Sequence, residues 1–220
     1  MSASADTLSL PELLYLLGID LDKHKRSERL KLAYVVRAAA LTELSLRGNI
    51  VDANGKIDMH HESSTGQPVL DGVLHEIADD RPRSWKDWIR RHERQTLEAV
   101  ESQLKSAGAI TIEKHLLLGD KVWVTDVARV RTLQRLVLDA LTGGQPIDQL
   151  EPRTIALTAL AANGELGTVI PDKVRKAHKD RVHTLTERAG PSAAALRSAV
   201  SELWWRRGSN SGAVAAANAR

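Results

Sequence analysis

The chain has 220 residues, 42% hydrophobic and 27% charged, with a formal net charge of +3. That length supports one sizeable core or at most two small ones. The absence of cysteine excludes disulfides and thiolate metal sites, and no apolar run approaches the ~18 residues that a membrane-spanning helix needs.

Aromatic residues make up only 3% and phenylalanine is absent, so Leu, Val and Ala must do most of the packing. This composition favours helices. The stretch from Met1 to Asp6 has no basic n-region, and the expected address is the cytoplasm.

Leu8 to Leu14 opens a short helix, capped at Ser9 or Leu10, with Pro11 in the first turn and Gly18 past its end. Asp20 to Ser27 is charged and reads as a loop. A helix from about Glu28 to Leu46 follows, with Gly48 as its left-handed stop. The two alternating runs on either side of Asn54-Gly55 form a hairpin.

His60 to Pro68 is a polar loop, and Val69 to Ala78 resumes helix. Ser84 caps a long helix from Trp85 to Ala107, stopped by Gly108. A second hairpin joins Ala109–Ile112 to Lys114–Val124 through Gly119-Asp120. Helices are then expected over Val127–Leu141, Arg153–Ala162, Pro171–Ala189 and Pro191–Trp205. Residues 1–207 form one domain, and the small, polar stretch from Gly208 to Arg220 reads as a disordered tail. After Arg37 and again after Arg153, Leu, Thr, Leu and Gly recur at the same offsets, a faint internal echo.

Arg37 poses the sharpest question. At about 100° per residue, Leu30, Ala33, Tyr34, Ala40, Leu41 and Leu44 fall within about 60° of it. A guanidinium in an apolar stripe needs a partner, because burying it unpaired costs several kcal/mol. Either a carboxylate such as Asp71 pairs with it, or carbonyl oxygens do, or it lines a cleft that takes an anion from outside.

Catalytic signals are weak. None of the eight histidines has another four residues away with a Glu between, and there is no nucleophile elbow, P-loop or dinucleotide fingerprint. The chain is therefore expected not to be an enzyme and to carry no cofactor or metal. The Trp85 helix is more informative, with Trp85, Trp88, Ile89, His92, Thr96, Ala99 and Val100 on one side. Arg83, Lys86, Arg90 and Arg94 cluster within about 80° on the opposite flank. That flank reads either as a solvated basic face or as a phosphate grip by arginines one turn apart. In the second hairpin Leu116, Leu117, Leu118, Val122, Trp123 and Val124 either close the core or form an apolar finger for a bilayer or a partner subunit.

Five segments carry a resemblance: Leu8-Ser-Leu-Pro-Glu-Leu-Leu14, Glu43-Leu-Ser-Leu-Arg-Gly-Asn-Ile50, Thr65-Gly-Gln-Pro-Val-Leu-Asp71, Trp85-Lys-Asp-Trp-Ile89 and Pro152-Arg-Thr-Ile-Ala-Leu-Thr-Ala-Leu160. In their order and spacing they resemble the Golgi phosphoprotein 3 family, from about Leu8 to Trp205. The resemblance implies a mainly α fold, a single helical-bundle domain with one or two short β-hairpins, one of them protruding and apolar. It also implies binding of phosphatidylinositol 4-phosphate and the holding of membrane enzymes, as in eukaryotic members. The Cys-free, Ala- and Arg-rich chain looks more like a prokaryotic relative. Carried over, the headgroup arginines fall on Arg37 and Arg94. A third would fall on Leu97, with Arg90 as its replacement, and the headgroup tryptophan would fall near Glu28.

The expectation is thus a peripheral protein on the cytoplasmic face of a membrane that binds anionic phospholipid headgroups through Arg37, Arg90 and Arg94. The Leu116–Val124 hairpin would insert into the bilayer or join copies of the chain, and client membrane proteins are the other implied partners. Two rivals stand beside it. A winged-helix protein would use the Asn49–Met59 hairpin as its wing, but the preceding helix lacks the polar base-reading residues that nucleic acid requires. A pure interaction scaffold would have lost the lipid.

Overall fold

The computed structural model describes the backbone of residues 8–114 and 119–217, and side chains as far as Trp205. The fold is mainly α, as expected, with ten α-helices among the described residues. In chain order these are α1 (Leu10–Leu17), α2 (Arg29–Leu46), α3 (Pro68–Ala78), α4 (Trp85–Arg90), α5 (Glu93–Ser106), α6 (Val127–Thr142), α7 (Pro152–Asn163), α8 (Asp172–Ala177), α9 (Lys179–Ala189) and α10 (Pro191–Ala217).

Short antiparallel strands fill the gaps: β1 (Ile19–Asp20), β2 (Lys25–Arg26), β3 (Ile50–Ala53), β4 (Lys56–Met59), β5 (Arg83–Ser84), β6 (Ile110–Glu113) and β7 (Lys121–Val124). They pair as β1-β2, β3-β4-β5 and β6-β7. In the first hairpin Asn54 and Gly55 both take positive φ, 54° and 81°, as its tight turn demands.

Helix α2 is the axis of the molecule. Every residue from Leu32 to Leu44 is buried, because α1, α3, α4, α5, α7 and α10 all pack on it. Its small Ala38-Ala39-Ala40 run lets neighbours approach closely, and Gly48, at φ 75°, ends it. A helix covered on all sides has no face to lay in a DNA groove, and the winged-helix reading fails on that point. Helix α7 is buried in the same way from Ile155 to Asn163. Gly164 stops it without a left-handed turn, since its φ is −77° and Glu165 takes the positive φ instead, so the echo of α2 does not extend to the helix ends.

Apart from the two-residue strand β5 and a short 3₁₀ helix at Ile147–Gln149, the chain departs from the sequence reading at four places. The charged Asp20–Ser27 segment forms the small β1-β2 ladder, in register Ile19↔Arg26, too short for alternation to show. The single helix expected over Pro171–Ala189 is broken at His178 into α8 and α9. Helix α10 runs on to Ala217, into the stretch expected to be a disordered tail, because alanines favour helix and outnumber the two glycines there. The fourth departure, at His92, lies within the candidate site.

Candidate functional site

Arg37 is 0% exposed, and its partners come from inside the protein. Its Nε donates to the Trp88 carbonyl at 3.1 Å and its Nη1 to Thr96 Oγ1 at 3.0 Å. Its Nη2 lies 2.7 Å from Glu76 Oε2, and its Cζ is 5.9 Å from the Trp88 ring centroid. Burial pulls the pKa of this guanidinium down, and the Glu76 carboxylate opposes that pull. An arginine starts so high that it keeps its proton regardless. The pairing carboxylate is therefore Glu76 on α3 and not Asp71. Asp71 instead accepts from the Thr65 amide, Thr65 Oγ1 and Ser64 Oγ, each at 2.7 Å.

The helix expected from Trp85 to Ala107 is two helices, and Arg37 stands at their junction. Arg91 is extended and His92 is left-handed at φ 54°, which turns α5 away from α4. The Trp88 carbonyl belongs to the last turn of α4, where carbonyls lack partners within the helix, and Arg37 supplies one. The His92 carbonyl then accepts from the amide and hydroxyl of Thr96 to start α5. Arg90 and Arg94 consequently sit on different helices, so the junction, and not the spacing along one helix, sets their separation. Leu97, where the resemblance would place a further arginine, is core.

The basic residues are held by shared carboxylates. Asp80 accepts from Arg83 Nε and Nη2, each at 2.9 Å, and meets Arg91 at 3.1 Å, and the Arg83 hydrogen bonds hold its carboxyl below the usual range. Glu202 on α10 takes Lys86 at 2.8 Å and Arg90 at 3.2 Å. Arg94 projects outward, its side chain 72% exposed, with a loose 4.0 Å approach to Glu93 as its only ion pair among the described residues. Among the described residues, two buried donors beside Arg37, Trp88 Nε1 and Arg91 Nε, have no acceptor. Sequence reasoning missed Glu76, Asp80 and Glu202. Glu202 is remote in sequence, and no spacing rule links a carboxylate on α3 or α10 to arginines on α2 and α4.

Of the hairpin residues, Leu116, Leu117 and Leu118 lie outside the described residues. Val122 is buried and Val124 packs against the core, so these two help to close it. Trp123 is 40% exposed and stacks on His24 at 3.6 Å. The hairpin is tied to the rest of the domain along β7 and at its turn end, where the Val122 amide bonds to the His24 carbonyl and Arg26 bridges Glu101 and Asp120, the latter at 2.8 Å.

Together these features define a helical domain with a buried arginine clamp beneath a face rich in basic residues. A model of the Golgi phosphoprotein 3 family matches residues 10–203, and the chain belongs to that family. No curated protein matches it. Among the described residues, no helix is long and apolar enough to cross a membrane.

Proposed function

We propose that this protein is a non-enzymatic, peripheral membrane protein that binds an anionic, phosphoinositide-like headgroup at the α4–α5 junction. The observation that supports this is charge sharing. Among the described residues Asp80 and Glu202 each bridge two cations, and Arg94 is 72% exposed with Glu93 no nearer than 4.0 Å, so cations outnumber the carboxylates that hold them closely. Near an anionic surface each effective charge contributes on the order of 1 kcal/mol. A small surplus of such charges gives reversible attachment, and a second contribution is needed for stable residence. The hairpin with Trp123 and Leu116–Leu118 supplies it, by entering the bilayer or by joining copies of the chain. Arg90 and Arg94 meet the phosphates in this reading, whereas Arg37 sets the frame that carries them.

Co-sedimentation with neutral, phosphatidylserine and phosphatidylinositol 4-phosphate vesicles tests the proposal. Binding to anionic vesicles should fall at least fivefold in Arg90→Ala plus Arg94→Ala, with the circular dichroism unchanged, and should weaken with salt. Equal binding to neutral and anionic vesicles, or no loss in the double variant, would overturn it. The internal pairing of Arg37 with Glu76 favours a second reading, a scaffold for membrane enzymes without a headgroup site. That scaffold would capture enzyme tails while ignoring every vesicle.

A further inference from the structure

Far from Arg37 along the chain, the first turns of α1 and α3, the end of α5, the base of the β6-β7 hairpin and the start of α6 enclose a cavity of about 510 Å³. That volume suits a small ligand. Leu8, Leu16, Pro68, Ala109, Val124 and Val130 provide apolar walls.

The polar side chains at this cavity from α1, the start of α3 and α5 each bring an acceptor oxygen. Glu12 is only 4% exposed. Its Oε2 accepts from the Ser9 amide and hydroxyl at 2.7 and 2.6 Å, closing a capping box, and its Oε1 accepts from Gln103 Nε2 at 3.0 Å. No cation pairs with Glu12 among the described residues. Because the Gln103 amide must turn its NH₂ towards that carboxylate, its Oε1 points away, and it is buried without a donor. Gln67 Oε1 is buried without a donor as well. Each such group left unmet costs about 1–3 kcal/mol. The helix dipole offsets part of the Glu12 charge, and water could donate to the amides, but neither brings a full positive charge.

Arg129 is exposed at the opening, and the lining continues into an adjoining apolar cleft with Leu13, Leu133 and Leu136. We propose that this cavity binds a primary ammonium carried on an apolar chain. The ammonium donates to Glu12, Gln67 and Gln103, and the chain lies along Leu13, Leu133 and Leu136. A free alkylamine and an ethanolamine phospholipid share this chemistry, and only the phospholipid also has a phosphate for Arg129. The proposal is independent of the headgroup site at the α4–α5 junction.

Titration calorimetry on the full chain tests it, with n-octylamine, n-octanol, short-chain phosphatidylethanolamine and short-chain phosphatidylcholine as probes. Octylamine should bind at least tenfold more tightly than octanol. Glu12→Gln keeps the capping-box bonds and should abolish that difference. Ala109→Leu narrows the cavity without touching the carboxylate and should weaken both ligands, which provides a second reading should Glu12→Gln fold poorly. A preference for the ethanolamine over the choline lipid identifies a lipid source, and octylamine selectivity without that preference identifies a free amine. Equal affinity for octylamine and octanol, binding of none of the probes, or an unchanged amine affinity in a folded Glu12→Gln would overturn the proposal.

Discussion

Replacing Arg37 by alanine should be among the most damaging single changes in this protein. The substitution removes the donor that satisfies the Trp88 carbonyl and leaves that group buried, at about 1–3 kcal/mol. It also empties the volume of a long, fully buried side chain; large-to-alanine changes in cores cost about 2–5 kcal/mol. Glu76 is 30% exposed, so it turns to water when its partner goes and adds less than about 1 kcal/mol. The sum is at least about 3 kcal/mol, which for a chain of this size lowers the Tm by on the order of 10 °C. Glu76→Gln should cost about 3 kcal/mol, because it leaves the fully buried guanidinium charge without its carboxylate although the bonds to Trp88 and Thr96 remain. Urea unfolding followed by tryptophan fluorescence measures both. Were Arg37→Ala within about 1 kcal/mol of the native protein, the clamp assigned to Arg37 would be refuted.

Three further outcomes follow from the packing. A Cβ on Gly164 would lie 2.2 Å from Val35 Cγ2 and 2.9 Å from the Leu160 carbonyl, so Gly164→Ala should cost about 1–3 kcal/mol by prising α7 from α2. Gly72→Ala meets open space inside α3 and should instead stabilise by about 0.5–1 kcal/mol; thermal melts of the two variants should shift in opposite directions. Burial, and then the neighbouring Glu101 carboxylate, push the Tyr15 phenol above its ordinary pKa of ~10. The folded state holds Tyr15 neutral where the unfolded chain ionises. Its contribution is therefore complete below pH ~10 and lost as pH rises beyond it. Urea midpoints between pH 8 and pH 11 should fall less steeply in Tyr15→Phe.

The features legible in the sequence carry their own punctuation. Ser9 and Ser84 mark helix starts, Gly48 takes the left-handed stop, and Asn54-Gly55 makes its turn without help from the rest of the fold. The breaks at His92 and His178 carry no glycine or proline, so periodicity ran straight through them. At His92 the break is imposed by tertiary partners, with Arg37 on the Trp88 carbonyl and Asp80 on Arg91. The two-residue strand β5 is likewise invisible, since it exists only by pairing with β4. Helical spacing showed that Arg37 required a partner but could not choose among carboxylates. Asp71, the carboxylate named as an example from the sequence, is occupied instead by Thr65 and Ser64.

The position of Arg37 changes how its role should be read. In the resemblance it is a headgroup ligand, whereas here it closes the end of α4, meets the start of α5 and neutralises Glu76 on α3. Three helices are therefore fixed relative to α2 by one side chain. Arg90 ends one of these helices and Arg94 begins another, so the spacing of the two surface arginines depends on the buried one. A loss of membrane binding in Arg37→Ala would then follow from displaced Arg90 and Arg94 as readily as from a lost contact. Glu76→Gln separates these causes, because it unpairs the guanidinium while leaving its bonds to Trp88 and Thr96 in place. If Arg37 serves only as a clamp, that variant keeps the wild-type preference among anionic vesicles, and a gain for the phosphoinositide alone would return Arg37 to the headgroup.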